Sequence, residues 1–364
     1  VIDGYSYDAT GNRLSAKVGG VMQSYTYPTT NHRLSAVAGV ARTYDKLGNT
    51  LTIGGKAREY LYDTTGRMTQ VKRAGAAVMN YRYSGRGEQV RRYLGTTNTF
   101  TLYDEASHWL GDYDTNGAPK QQAIWLDDLP VGLLANGGQL HYIEPDHLGS
   151  PRVVVDAARD VAVWNWSLKG EAFGNTAPNQ DPDGDGTAMV FDMRFPGQRF
   201  DAASGFNQNY FRDYDAATGR YGQSDPIGLA GGGNTYTYVS SNPMNLIDLL
   251  GLTQHDVDFL FALAKERELD LRFPGRLNVR DLGGDEVGYT NYLKRTITLD
   301  DRYLQSLSPA QRVDLYDTIV HEGLHLTKGI FYSARNHEKI YEEAGRRTDA
   351  AKDQIEMGSY DCNE

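Results

Sequence analysis

The sequence predicts a β-rich tyrosine-aspartate-repeat body followed by a small α+β domain. Three observations carry that expectation. Tyrosine and glycine are abundant, at 25 and 40 of 364 residues, a mix that suits many short strands joined by tight turns. The first 110 residues repeat a Tyr-Asp pattern with a following glycine, at a spacing of roughly twenty residues. After Leu252 that pattern stops and helical periodicity takes over, leading to His321-Glu322-Gly323-Leu324-His325.

The repeats come first. Tyr7-Asp8 is followed by Gly11, Tyr44-Asp45 by Gly48, Tyr62-Asp63 by Gly66 and Tyr83-Ser84 by Gly87. Tyr27-Pro28 and Tyr103-Asp104 are degenerate copies. Each unit reads as strand, turn, strand. One such hairpin cannot bury its apolar face alone, but stacked copies can. Trp109, Trp125, Trp164 and Trp166 lie in strand-like segments and read as packing residues. Asp181, Asp183 and Asp185 match the first half of a calcium loop, with Asp192 at its twelfth position. An EF-hand needs a glutamate there and flanking helices, so a surface loop is favoured over a calcium site.

From Tyr7 to Leu252 the motifs resemble those of the Rhs family. His141-Tyr-Ile-Glu-Pro-Asp-His147-Leu-Gly-Ser-Pro151-Arg152 and Arg194-Phe-Pro-Gly-Gln198 are similar to two of its blocks. The segment Tyr210 to Tyr221, then Asp225-Pro-Ile-Gly-Leu229, Asn234 to Tyr238 and Asp248-Leu-Leu-Gly-Leu252 continue in the family's order. The resemblance implies a β-sheet shell, a cocoon that encloses a C-terminal toxin. It also implies self-cleavage by two aspartates, here Asp225 and Asp248, at the bond between Leu252 and Thr253. Two carboxylates held close cannot both ionise easily, so one can serve as acid and the other as base. Leu249 stands where the family has proline, which leaves that turn less rigid. Arg220 is a candidate to orient the pair.

The expected boundary lies between Leu252 and Thr253, giving domains 1–252 and 253–364. Thr253 can cap a helix carrying Val257, Leu260, Phe261 and Ala264. Residues 278–280 and 295–299 read as strands. Ser308-Pro309-Ala310-Gln311 is a strong helix start, and that helix runs to about Lys328. A further helix spans about 334–357.

On a helix, His321 and His325 share one face and can bind one zinc ion, while Glu322 can act as general base. Thr296 to Leu299 is a candidate edge strand for peptide substrates. Catalytic zinc needs a third protein ligand. His337 is the first choice, since it shares a face with Ile340, Tyr341 and Ala344. Glu338, Glu342 and Glu343 are the alternatives. The His337 segment resembles the third-histidine segment of SprT-like metallopeptidases, which implies a zincin-like domain.

Composition sets limits. The net charge of -10, and an excess of acidic over basic side chains after Leu252, disfavour a nucleic-acid partner. The lone Cys362 excludes a disulfide framework and a cysteine zinc site. No apolar run reaches membrane-spanning length. The chain begins at Val1 without a methionine or signal peptide, and is read as a piece of something longer. The Rhs resemblance implies an effector made in the bacterial cytoplasm, loaded on a type VI secretion spike through parts before Val1, and acting in the target cell. It further implies a cognate immunity protein. The peptidase motif adds a protein substrate. Two other readings stand beside this one: a surface or adhesive repeat protein with a non-catalytic C-terminal domain, and a toxin of another enzyme class with structural zinc.

Overall fold

A computed structural model describes residues 2–18, 20–168, 171–226, 228, 233–252, 264, 265, 268, 270–273, 278–280, 288–291, 296–300, 309–328 and 337–357. The chain divides into two compact units: Val1–Gly228 with Gly233–Leu252, and Leu229–Gly232 with Thr253–Glu364.

The first unit is built on one 17-stranded sheet, from β1 (Ile2–Tyr7) to β17 (Val161–Asn165). Each strand pairs antiparallel with the next in the chain. The repeat residues explain this meander. At Asp63, the Oδ1 atom accepts the backbone N–H of Thr65 at 2.9 Å and of Arg67 at 3.0 Å. The main chain closes the same turn, with Asp63 N–H donating to Arg67 O and Gly66 N–H to Asp63 O. Gly66 has φ +80°, a left-handed conformation that glycine adopts at little steric cost. Asp8, Asp104, Asp114 and Asp146 hold equivalent turns.

The tyrosines link one repeat to the previous one. Tyr27 Oη donates to Arg13 O at 3.0 Å, Tyr83 to Met68 O at 2.9 Å and Tyr103 to Gln89 O at 3.1 Å. Each acceptor lies five residues after the turn residue of the preceding unit, counted from Asp8, Asp63 and Ser84. Trp125 takes the same place, with Nε1 donating to Trp109 O at 2.9 Å.

A second sheet comprises β18 (Arg199–Asp201), β19 (Phe206–Asn209), β20 (Arg212–Asp215) and β21 (Arg220–Tyr221). Residues of β19 to β21 are buried throughout. Phe206 stacks on Tyr60 at 4.9 Å, within a core that also holds Met68, Val71 and Tyr81. Arg42 pairs with Asp215 at 2.8 Å, and Thr50 Oγ1 donates to Gly222 O at 2.6 Å. Trp109, Trp164 and Trp166 are buried, as expected of packing residues.

In the second unit, β22 (Asn278–Arg280), β23 (Gly288–Asn291) and β24 (Thr296–Asp300) form a sheet in the order β22-β24-β23. The strand β24 runs parallel to β22 and antiparallel to β23. It is therefore central, which corrects the expectation that 296–299 forms the edge. Ile297 and Leu299 are fully buried, so this strand is an interior element. Helices α1 (Pro309–Lys328) and α2 (His337–Met357) pack on one another and share a core with the sheet. That core contains Ile297, Leu299, Leu315, Tyr316, Ile319, Val320, Leu324, Ile340 and Ala344. The expected helix from Thr253 lies outside the described residues apart from its buried Ala264, and Cys362 also lies outside them.

Candidate functional site

Helix α1 buries Leu315, Ile319, Val320 and Leu324 in the core, and this fixes the direction of the adjoining face. That face carries His321 and His325, one turn apart and both buried. Their Nε2 atoms lie 3.0 Å apart. Ile340 and Ala344 anchor α2, whose first residue, His337, completes the cluster. One ligating atom from each of the three histidines comes within 4.8 Å of the others. Among the described residues, Glu338, Glu342 and Glu343 are not part of this cluster. Glu343 instead meets Arg347 at 2.9 Å and Lys328 at 3.5 Å. Tyr341 lies against the rings of His321 and His337, with centroids 4.2 and 5.1 Å away.

Burial, and then the neighbouring imidazoles, push His321 down to about 4, and the same causes bring His325 to about 4. Both rings are thus neutral near pH 7, with lone pairs available for a cation. Two facing neutral nitrogens share at most one proton between them, whereas a metal ion satisfies every lone pair in the cluster. Three imidazoles and no carboxylate suit zinc with one open position. Glu322 is buried beside the cluster, and its Oε2 accepts the hydroxyl of Thr290 on β23 at 2.6 Å. Sequence reasoning overlooked Thr290. Its strand of four residues carries too short a pattern to distinguish.

A second constellation lies in the first unit. Arg212 on β20 is fully buried, and its Nη2 meets Asp225 Oδ2 at 2.9 Å and Asp248 Oδ2 at 3.3 Å. The guanidinium lies over the Tyr221 ring, 3.6 Å from its centroid. It also donates through Nε to Gly251 O, and through Nη1 to Thr235 O at 3.2 Å. Asp248 Oδ2 accepts Tyr221 Oη–H at 2.7 Å, and Oδ1 accepts the N–H of Leu252 at 3.0 Å. Burial dominates here. It raises the Asp248 carboxyl to about 6, against the opposing effects of Arg212 and Tyr221. The turn at 248–252 is thus closed by the Asp248 side chain, with Leu249 in place of proline. Thr253 lies outside the described residues.

Arg220 is not the orienting residue, a correction to the sequence reading. Its guanidinium is taken by Tyr27 Oη and His32 O, both at 2.6 Å. The neighbouring Asp213 accepts Gln223 Nε2–H at 2.5 Å, and burial raises its carboxyl to about 7.

The family model of the teneurin YD-shell matches residues 1–243. The chain belongs to the Teneurin YD-shell family. The double-stranded DNA deaminase toxin A of Burkholderia cenocepacia (strain H111) is 36% identical over 115 residues, 31% of this chain and 8% of that protein. The probable deoxyribonuclease RhsA of Dickeya dadantii (strain 3937) is 28% identical over 216 residues, 56% of this chain and 13% of that protein. A crystal structure of TcdB2-TccC3 without its hypervariable C-terminal region shares the fold, with a TM-score of 0.52 and 22% identity, covering 68% of this chain and 13% of that chain. The chain thus spans 13% or less of the length of each of these relatives.

The family match ends at residue 243, before Asp248 and the histidine cluster. Within the YD-shell, the Asp181, Asp183 and Asp185 carboxylates also gather within 4.8 Å. Arg159 Nη1 bonds Asp183 at 2.8 Å and Asp185 at 2.9 Å. Asp192, the twelfth position, faces Arg92 at 3.7 Å. The segment is a series of bends without flanking helices, so the EF-hand arrangement is absent and a guanidinium supplies the positive charge.

Proposed function

We propose that this chain is part of a packaged bacterial toxin. In this reading a YD-shell carries a zinc metallopeptidase at residues 253–364 and releases it by cleavage after Leu252. The observation that carries the peptidase reading is the convergence of His321, His325 and His337 beside a buried Glu322. Family membership and the toxin named among the relatives support the packaging reading.

The three histidines would hold zinc as neutral ligands. When bound, zinc polarises a scissile carbonyl and makes water more acidic. Glu322 takes the proton from the attacking water at its carboxylate and later delivers it to the leaving amine. Thr290 holds that carboxylate. The strand β23, an edge among the described strands, replaces 296–299 as the element beside which an extended peptide would lie.

For release, Asp248 supplies the acid and Asp225 the base. Asp225, paired with Arg212, accepts a proton from water as that water attacks the Leu252 carbonyl. Asp248 protonates the departing Thr253 nitrogen. Asp248 already touches Leu252 N–H, so it is close to the bond that breaks. A secretion apparatus, a cognate immunity protein, and action on a protein inside a target cell complete the proposal. Among the described residues no helix is long and apolar enough to cross a membrane.

A second reading is favoured by the relatives' names, which include a deoxyribonuclease and a deaminase. In it, the histidine cluster is structural and the toxin acts on DNA. Expression in bacteria separates the two. The chain should arrest growth, and Glu322→Gln should abolish the arrest while leaving DNA intact in both cultures. Undiminished toxicity of Glu322→Gln, or degraded or deaminated DNA, would overturn the peptidase reading.

A further inference from the structure

We infer that Thr290 is a positioning residue for Glu322, and that β23 is built to bring it there; this rests on the metallopeptidase reading. Thr290 Oγ1 lies 2.6 Å from Glu322 Oε2 and 3.1 Å from Glu322 O. A hydroxyl has one proton to donate. The shorter contact is in the range of a charge-assisted O–H···O⁻ bond, so the carboxylate receives it. The hydroxyl therefore ties the Glu322 carboxylate to β23.

The approach of β23 to α1 gives an independent reason. Side chains alternate along a strand, so Gly288 and Thr290 face the same side. A Cβ on Gly288 would lie 2.9 Å from Thr318 Cγ2. Glycine at this position lets the strand close on the helix. Two residues on along the strand, and four on along the helix, the same approach sets Thr290 against Glu322. These steps match in length, at about 6–7 Å on the strand and about 6 Å on the helix. The strand is held in register by pairing of Gly288 with Leu299 and Thr290 with Ile297. The strand thus presents Thr290 as its second rung on α1, where it limits the carboxylate to one orientation beside the histidines.

A kinetic comparison on the 364-residue chain tests this. Thr290→Val keeps the shape of the side chain and removes the hydroxyl, while Thr290→Ser keeps the hydroxyl and removes the methyl. With fluorescein-labelled casein as probe, Thr290→Val should lose at least about tenfold in kcat with KM unchanged. Its zinc content should stay at the wild-type value. Thr290→Ser should retain most of the kcat. Wild-type kcat in zinc-loaded Thr290→Val, or equal losses in the Val and Ser variants, would overturn the inference alone. A wild-type chain that binds zinc yet leaves casein uncut would overturn the metallopeptidase reading and this inference with it.

Discussion

Arg212 changes how the buried aspartates act. Two adjacent carboxylates would ordinarily hold one proton by mutual repulsion. Here a guanidinium contacts both, which favours ionisation, yet burial still raises Asp248 to about 6 from an ordinary value of 3.8. Desolvation therefore outweighs the arginine at Asp248. Removing the arginine takes a buried cation away from two buried carboxylates, so Arg212→Met should destabilise the first unit by about 3–5 kcal/mol in chemical denaturation. The raised Asp248 fixes a sign for pH. The native state keeps a proton that the unfolded chain loses above about 4, so this group's contribution to stability falls as pH rises between about 4 and 6. Self-cleavage that needs protonated Asp248 should be fast below 6 and slow about tenfold per pH unit well above it. Chain made by cell-free translation and shifted between buffers gives that profile, and a rate rising from pH 6 to 8 would contradict the assignment. Asp248→Asn should leave the chain uncut at Leu252, as read by the mass of the products.

At the scale of elements, the hairpin repeat was legible because its chemistry is local. An aspartate that accepts its own turn's N–H groups, and a glycine with positive φ, leave a short recurring signature. Tyr113-Asp114 followed by Gly117 is a further copy that the sequence reading passed over, although the same signature marks it. The tyrosine hydroxyl bonds were not legible, because each reaches back to a carbonyl whose residue type does not matter. They predict that Tyr83→Phe costs about 1 kcal/mol, as measured by denaturant midpoint, since Met68 O loses its donor. Helices α1 and α2 followed from capping residues and apolar periodicity. The identity of the edge strand did not follow, because 288–291 was not read as a strand and only its pairing with β24 makes β24 central. Likewise, spacing on one helix could not choose His337 over Glu338, Glu342 or Glu343; the packing of α2 on α1 brings His337, and not these glutamates, to the other two histidines.

For the whole molecule, family membership accounts for residues 1–243, while the C-terminal unit rests on its own geometry. The two units present different kinds of site. One is a buried carboxylate pair on a shared arginine, and the other is a cluster of three histidines. His321, Glu322, His325, Asp225 and Asp248 stood out in the sequence as candidates, because each belongs to a short motif with a chemical reason. Arg212, Thr290 and Tyr221 were missed because they join the sites through distant strands. The most direct test of the central claim is casein cleavage by the zinc-loaded chain, repeated after chelation, after return of one equivalent of zinc, and with Glu322→Gln. The account predicts activity lost on chelation and restored by zinc, and a Glu322→Gln chain that binds zinc but cleaves at least about a hundredfold more slowly. Cleavage that survives chelation, or that proceeds equally in Glu322→Gln, would contradict it.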